Sequence, residues 1–161
     1  MAIGDGDGWF ECACGSKHWG IHGAAGFLLV NPNTMQVLLQ LRAPWTHGGQ
    51  TWGIPGGAKD SHETDLQAAF REIKEELGVA QESIEVIHEK AFTVHDGWKY
   101  HTVVGFVTQE MTLLHNEESI EASWFDCDHV ENLELHGGFA SAWPELKLEL
   151  IALISNLSRS E

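Results

Sequence analysis

The stretch GGAKDSHETDLQAAFREIKEELGV, residues 56–79, constrains the fold of this chain more tightly than any other. Leu66, Phe70, Ile73 and Leu77 recur at helical spacing, which predicts an amphipathic helix from about Thr64 to Leu77. Thr64 followed by Gln67 fits a capping box, and Gly78 is a natural C-terminal stop. At about 100° per residue, Glu72, Glu75 and Glu76 share one face about 100° wide, beside the apolar stripe. Like charges at these spacings repel by about 0.2–0.5 kcal/mol per exposed pair. Water tolerates such a face on an ordinary amphipathic helix. A hard cation would remove the repulsion, because Mg²⁺ binds carboxylate and carbonyl oxygens and keeps positions for phosphate oxygens. The preceding Pro55-Gly56-Gly57 lets backbone carbonyls approach such a cation closely.

The elements around this helix set the fold class. HGAAGFLLV (22–30), the turn NPNT and QVLLQLR (36–42) predict a β-hairpin. Residues 43–58 are rich in Gly, Pro and Trp and predict a loop with a short strand near Trp52–Ile54. SIEVIHEKAFTVH (83–95) and WKYHTVVGFVTQE (98–110) flank Asp96-Gly97, a hairpin signal. NEESIEAS (116–123) is expected as an acidic loop, with a strand edge resuming in SWFDCDHV (123–130). PELKLELIALI predicts a second helix from about Pro144 to Ile154. Residues 1–20 read as a Gly-rich polar lead-in. Strands and helices in this order predict a single α/β domain over residues 1–161 with a mixed sheet. Its expected core draws on Phe27, Leu29, Val37, Leu39, Leu66, Phe70, Ile73, Leu77, Val104, Phe106 and Trp124.

Composition narrows the partners. The formal net charge is −15, with nine Lys and Arg, so a long nucleic acid is not the expected partner. An anionic small molecule stays open if metal ions supply positive charge. No apolar run reaches membrane-span length, and the N-terminus lacks a basic region followed by an apolar one, so a cytoplasmic location is the expectation. Three Cys do not make a disulfide framework.

Gly57, five residues, Glu63, seven residues and then Arg71-Glu72-Ile73-Lys74-Glu75-Glu76-Leu77-Gly78-Val79 resemble the Nudix box, with every fixed position filled. The resemblance to the Nudix superfamily, and to its MutT-like group, implies an α/β/α sandwich with the box (57–79) as loop-helix-loop. It implies Mg²⁺- or Mn²⁺-dependent hydrolysis of a nucleoside diphosphate linked to another moiety. Residue by residue, Glu72, Glu75, Glu76 and the Gly57 carbonyl match metal ligands, and Glu63 with Arg71 matches a structural ion pair. The general base in such enzymes lies either in the box, matching Glu72 or Glu75, or on a distal acidic loop. Glu118 is the first distal candidate here and Glu121 the second.

Other residues carry expectations of their own. Arg42, one of few cations, is the expected phosphate or base contact, with a surface ion pair as its alternative. Trp45, His47 and Trp52 lie on the loop before the box and could stack on a base, although Trp52 fits core filling better. Trp98, Tyr100 and His101 are candidates for the same cleft. Cys12, Cys14, His18 and His22 form C-x-C-x3-H-x3-H, a soft donor set that would suit a structural Zn²⁺; reduced thiols in a polar lead-in are the plain alternative. The expected substrate is a small nucleotide: a nucleoside triphosphate, a dinucleoside polyphosphate or a nucleotide sugar such as ADP-ribose. A non-hydrolytic binding module and diphosphate isomerase chemistry at Cys127 are the competing functions. A homodimer is compatible with all of them.

Overall fold

AAGFLLVN is apolar on both faces, the pattern of a strand covered from above and below. In the computed structural model, which describes residues 4–11, 17–45, 49–93, 98–109, 113 and 119–159, this run is the central strand. The elements in chain order are β1 (Trp9–Glu11), β2 (Lys17–Trp19), β3 (Ala24–Asn31), β4 (Gln36–Arg42), β5 (Trp52–Gly53) and β6 (Gly56–Ala58). They continue as α1 (Asp65–Leu77), β7 (Glu85–Thr93), β8 (Lys99–Phe106), β9 (Ser119–Asp126) and α2 (Gly137–Arg159). Strand β8 lies parallel to β3, whereas β7 on β8, β9 on β4, and β6 on β3 are antiparallel, so the sheet is mixed.

Alternation along β3 feeds two cores. Leu28 and Val30 face α2, where Phe139, Trp143, Leu146 and Leu150 are buried. Ala25, Phe27 and Leu29 face α1, where Ala68, Ala69, Ile73 and Leu77 are buried. The sheet is thus sandwiched between two helices, the α/β/α arrangement. Each large side chain fully buried in these layers contributes about 1.5–3 kcal/mol of transfer free energy. Of the expected core, Phe27, Leu29, Val37, Leu39, Ile73, Leu77, Val104 and Phe106 are buried, while Leu66, Phe70 and Trp124 are partly buried against it.

Four local expectations need correction. The 22–42 hairpin exists, but β3 and β4 pair only at Val30–Val37 and Asn31–Gln36 and then part. β6 fills the split along β3 and β5 fills it along β4. The acidic stretch 116–123 is not all loop, because Ser119–Asp126 is β9 and runs along β4 from Gln36 to Arg42. The physical reason is that the far edge of β4 presents backbone donors and acceptors that need partners. The second helix begins at Gly137, not Pro144, so Pro144 lies inside it. Burial of Phe139 and Trp143, ring centroids 5.6 Å apart, outweighs the poor helix propensity of Gly137, Gly138 and Pro144. Finally, the Gly-rich polar lead-in carries regular structure among its described residues. β1 and β2 form a ribbon closed by the Trp9–Trp19 edge contact at 5.2 Å. The Gly6 N–H donates to Asp60 at 3.0 Å and ties that ribbon to the box loop.

Candidate functional site

The split between β3 and β4 is where the box begins. Gly56 and Gly57 on β6 pair with Gly26 and Ala25 of β3. Side chains are excluded there: a Cβ on Gly56 would stand 2.6 Å from the Gly26 Cα, and one on Gly57 would stand 2.7 Å from the Glu72 carboxyl carbon. The backbone of Gly57 therefore lies directly against the Glu72 carboxylate. The other end of α1 is fixed too. Thr64 and Gln67 form a reciprocal capping box, and Gly78 closes the helix in the left-handed conformation at φ 70°.

Arg71 organises the acidic face. Its Nε and Nη2 donate to the two Glu63 oxygens at 2.7 and 2.9 Å, a bidentate pair. Nη2 also donates to the Ala58 carbonyl at 2.9 Å, and Nη1 to Glu72 at 2.8 Å. Glu75, at 3.5 Å from Nη1, is the most exposed of the three helix carboxylates. The Arg71 hydrogen bonds hold the Glu63 carboxyl below its ordinary range, and Glu63 in turn raises Arg71 further.

Glu76 is 2% exposed. Its Oε2 accepts from the Gly56 N–H at 3.0 Å and from Gln40 Nε2 at 3.3 Å. Tyr100 closes the wall behind it: its hydroxyl lies within 2.5 Å of where a Gly26 or Gly56 Cβ would stand. Desolvation, and then the Glu76 charge, raise the Tyr100 phenol, while Arg42 acts in the opposite direction. Arg42 itself ends β4. Its backbone is held by Thr51 and Gln50 across the β4–β5 turn.

Glu72, Glu75, Glu76 and the Gly57 carbonyl offer oxygen donors, and at Gly57 a Cβ would intrude on the Glu72 carboxylate. That chemistry fits a hard divalent cation. Among the described residues it is a different set, Asp5, Asp60 and His62, whose ligand-capable atoms all lie within 4.8 Å of one another; those of Glu72, Glu75 and Glu76 do not. Its carboxylates already accept from the Gly6 N–H and from the Ser61 N–H and hydroxyl, so it serves as a clamp on the N-terminal ribbon.

The remaining expectations divide. Glu118, His47, Cys12 and Cys14 lie outside the described residues. Glu121 is exposed on β9 and accepts from the Ser123 hydroxyl at 3.0 Å. His18 stacks on Trp98 at 4.6 Å instead of standing in an open lead-in. His22 is exposed in the turn before β3. Trp98 does not line the cleft: it is buried under the ribbon and donates to the Gly20 carbonyl at 2.8 Å. His101 bridges Glu89 at 2.9 Å and Asp65 at 3.6 Å. Trp52 packs edge-on to Phe125 at 4.8 Å, as core filling, while Trp45 is 73% exposed. Cys127 lines a separate cleft with Thr34, Met35, Asp126, Asp128, His129 and Ile151, so it does not serve the acidic wall. Gln40 and Tyr100 are wall residues whose roles the motif leaves unstated. A polar Gln40 inside the apolar run VLLQL was the available signal.

The family model described as NUDIX domain matches residues 20–144. The chain belongs to the Nudix family. A Nudix hydrolase from M. smegmatis, RenU, has a crystal structure that superposes with a TM-score of 0.83 at 42% identity, covering 91% of this chain and 96% of that one. A Mycobacterium tuberculosis protein provisionally named 8-oxo-dGTP diphosphatase 3 is 45% identical over 152 residues, 89% of this chain and 70% of its own length. A C. elegans Ap4A hydrolase shares the fold, with a TM-score of 0.67 at 17% identity, over 80% of this chain and 98% of that one. The chain is accordingly a Nudix pyrophosphohydrolase built on the α/β/α sandwich. No helix among the described residues is long and apolar enough to cross a membrane.

Proposed function

We propose that this Nudix protein hydrolyses a pyrophosphate bond of a nucleoside triphosphate with Mg²⁺ or Mn²⁺ bound at the acidic wall, and that an oxidised deoxynucleoside triphosphate is the first substrate to test. The observation that carries this reading is the Gly57 backbone lying directly against the Glu72 carboxylate at the β3–β4 split, with Arg71 spanning Glu72 and Glu75 and with Glu76 held on the neighbouring Gly56 N–H. Support for the substrate comes from the 45% identical relative named as an 8-oxo-dGTP diphosphatase.

In this reading Glu72, Glu75, Glu76 and the Gly57 carbonyl would hold the cation. When bound, such a cation neutralises phosphate oxygens and lowers the pKa of bound water. The chain's own part is positioning. Arg71 holds Glu63, Glu72 and Glu75 in one array, so the loop and helix move as a unit. Arg42 contacts the phosphates or the base of the substrate. Water attacks one phosphorus of the anhydride, the bridging P–O bond breaks, and a monophosphate leaves. A carboxylate takes the proton, and the candidates are Glu72, Glu75 and Glu118; a base so placed typically adds 10²–10⁴-fold. We place the activity in the cytoplasm, on one domain spanning the whole chain.

The test is a nucleotide panel with Mg²⁺, including 8-oxo-dGTP, the ordinary triphosphates, Ap4A and ADP-ribose, read as released monophosphate and repeated after chelation. Preferred turnover of a triphosphate, abolished by chelator, is the expected result. Preference for ADP-ribose or Ap4A would replace the substrate assignment. Retention of nucleotide without any turnover would make the protein a binding module.

A further inference from the structure

Gln40 stands out among the buried residues of β4. Its neighbours Leu38, Leu39 and Leu41 are apolar, yet Gln40 itself is 1% exposed. Its Nε2 donates to Glu76 Oε2, the same oxygen that receives the Gly56 N–H. Its Oε1 is buried and, among the described residues, has no hydrogen-bond partner. The opposite amide orientation would set one acceptor against another, so the Glu76 carboxylate dictates which way the amide faces. A buried acceptor left unpaired costs stability. A Leu or Met at this position would fill the same space without that cost. The residue is therefore poorly explained by packing and well explained by what it does to Glu76.

We propose that Gln40 is a positioning residue for Glu76. Acting with the Gly56 amide, it fixes one carboxylate oxygen so that the group is already oriented when a divalent cation arrives. The Gly56 N–H, on β6, restrains the carboxylate from one side; a second donor, from the centre of a strand paired on both sides, narrows its orientation further. This rests on the reading of Glu76 as a metal ligand given above.

The experiment measures Mn²⁺ binding directly, by the EPR signal of free Mn²⁺, in the wild type, Gln40→Met and Gln40→Leu. Melting of each is followed in chelator, and kcat and KM are followed against Mn²⁺ concentration. The expected result is Mn²⁺ binding weakened threefold or more in both variants, with melting temperatures at or above the wild type. Lost kcat should recover at high Mn²⁺, with KM for nucleotide little changed. Binding changed by less than threefold would overturn the proposal, as would weakening accompanied by a clear drop in melting temperature in both variants, which marks a structural role. A wild type that binds no Mn²⁺ would overturn the metal reading as well, so the two failures are distinguishable.

Discussion

A Cβ added to Gly57 would stand 2.7–2.8 Å from the carboxyl carbon and both oxygens of Glu72. The two residues are 15 positions apart, yet each shapes the space the other occupies. Gly57→Ala should therefore push the Glu72 carboxylate aside while leaving the packed core untouched. We expect kcat to fall by about 10–100-fold, since misplacement by an ångström costs about that much, with a melting temperature close to wild type. Steady-state kinetics with a thermal melt checks it, and undiminished kcat would mean that Glu72 need not sit where it does.

Glu75 separates catalysis from folding. It is 40% exposed and makes only a 3.5 Å contact with Arg71, so it adds little to stability. Glu75→Gln should lower kcat by at least about 100-fold, the scale of a lost base or ligand, with an unchanged far-UV spectrum and melt. Turnover near wild type would remove Glu75 from the mechanism.

The Glu63–Arg71 pair gives a pH signature. Hydrogen bonds from Arg71 hold the Glu63 carboxyl below its ordinary 4.5. The unfolded chain therefore takes up this proton first as pH falls, and acid favours the unfolded state. The stabilisation is fully present above about pH 4.5 and is lost as pH drops through the lowered folded value. Glu63→Gln should flatten the melting temperature across that acid window relative to wild type. Arg71→Lys, which cannot form the bidentate pair, should destabilise by about 1–3 kcal/mol. Denaturant melts at pH 7 and a melting series from pH 3 to 6 measure both.

Burial pushes the Cys127 thiol up to about 11, so it stays protonated at neutral pH. Native protein treated with iodoacetamide at pH 7.5 should leave Cys127 unmodified in a peptide map, while denatured protein is alkylated there. Rapid native labelling would reopen a nucleophilic role for this residue.

The α1 segment was legible because its information is local. The apolar stripe, Thr64 with Gln67, and Gly78 act within a few residues of one another, and the helix begins and ends where they direct it. The same holds for the Gly and Glu spacing of the box, since helical periodicity alone puts Glu72, Glu75 and Glu76 on one face. The strands were legible as apolar runs, but their partners were not. That β3 and β4 part after two pairs, that 119–126 becomes a strand, and that the second helix reaches back to Gly137 are settled by edges and surfaces from distant parts of the chain. Trp98 and Trp52 illustrate the same limit: an aromatic in a Gly-rich stretch looks alike whether it stacks on a ligand or fills a core, and only burial against His18 or Phe125 decides. The sequence by itself determined one acidic helix face, its caps and its arginine. Tertiary structure alone decided which backbone and which β4 side chain would meet that face, because hydrogen bonds such as Gln40–Glu76 join residues whose separation along the chain carries no trace of their contact.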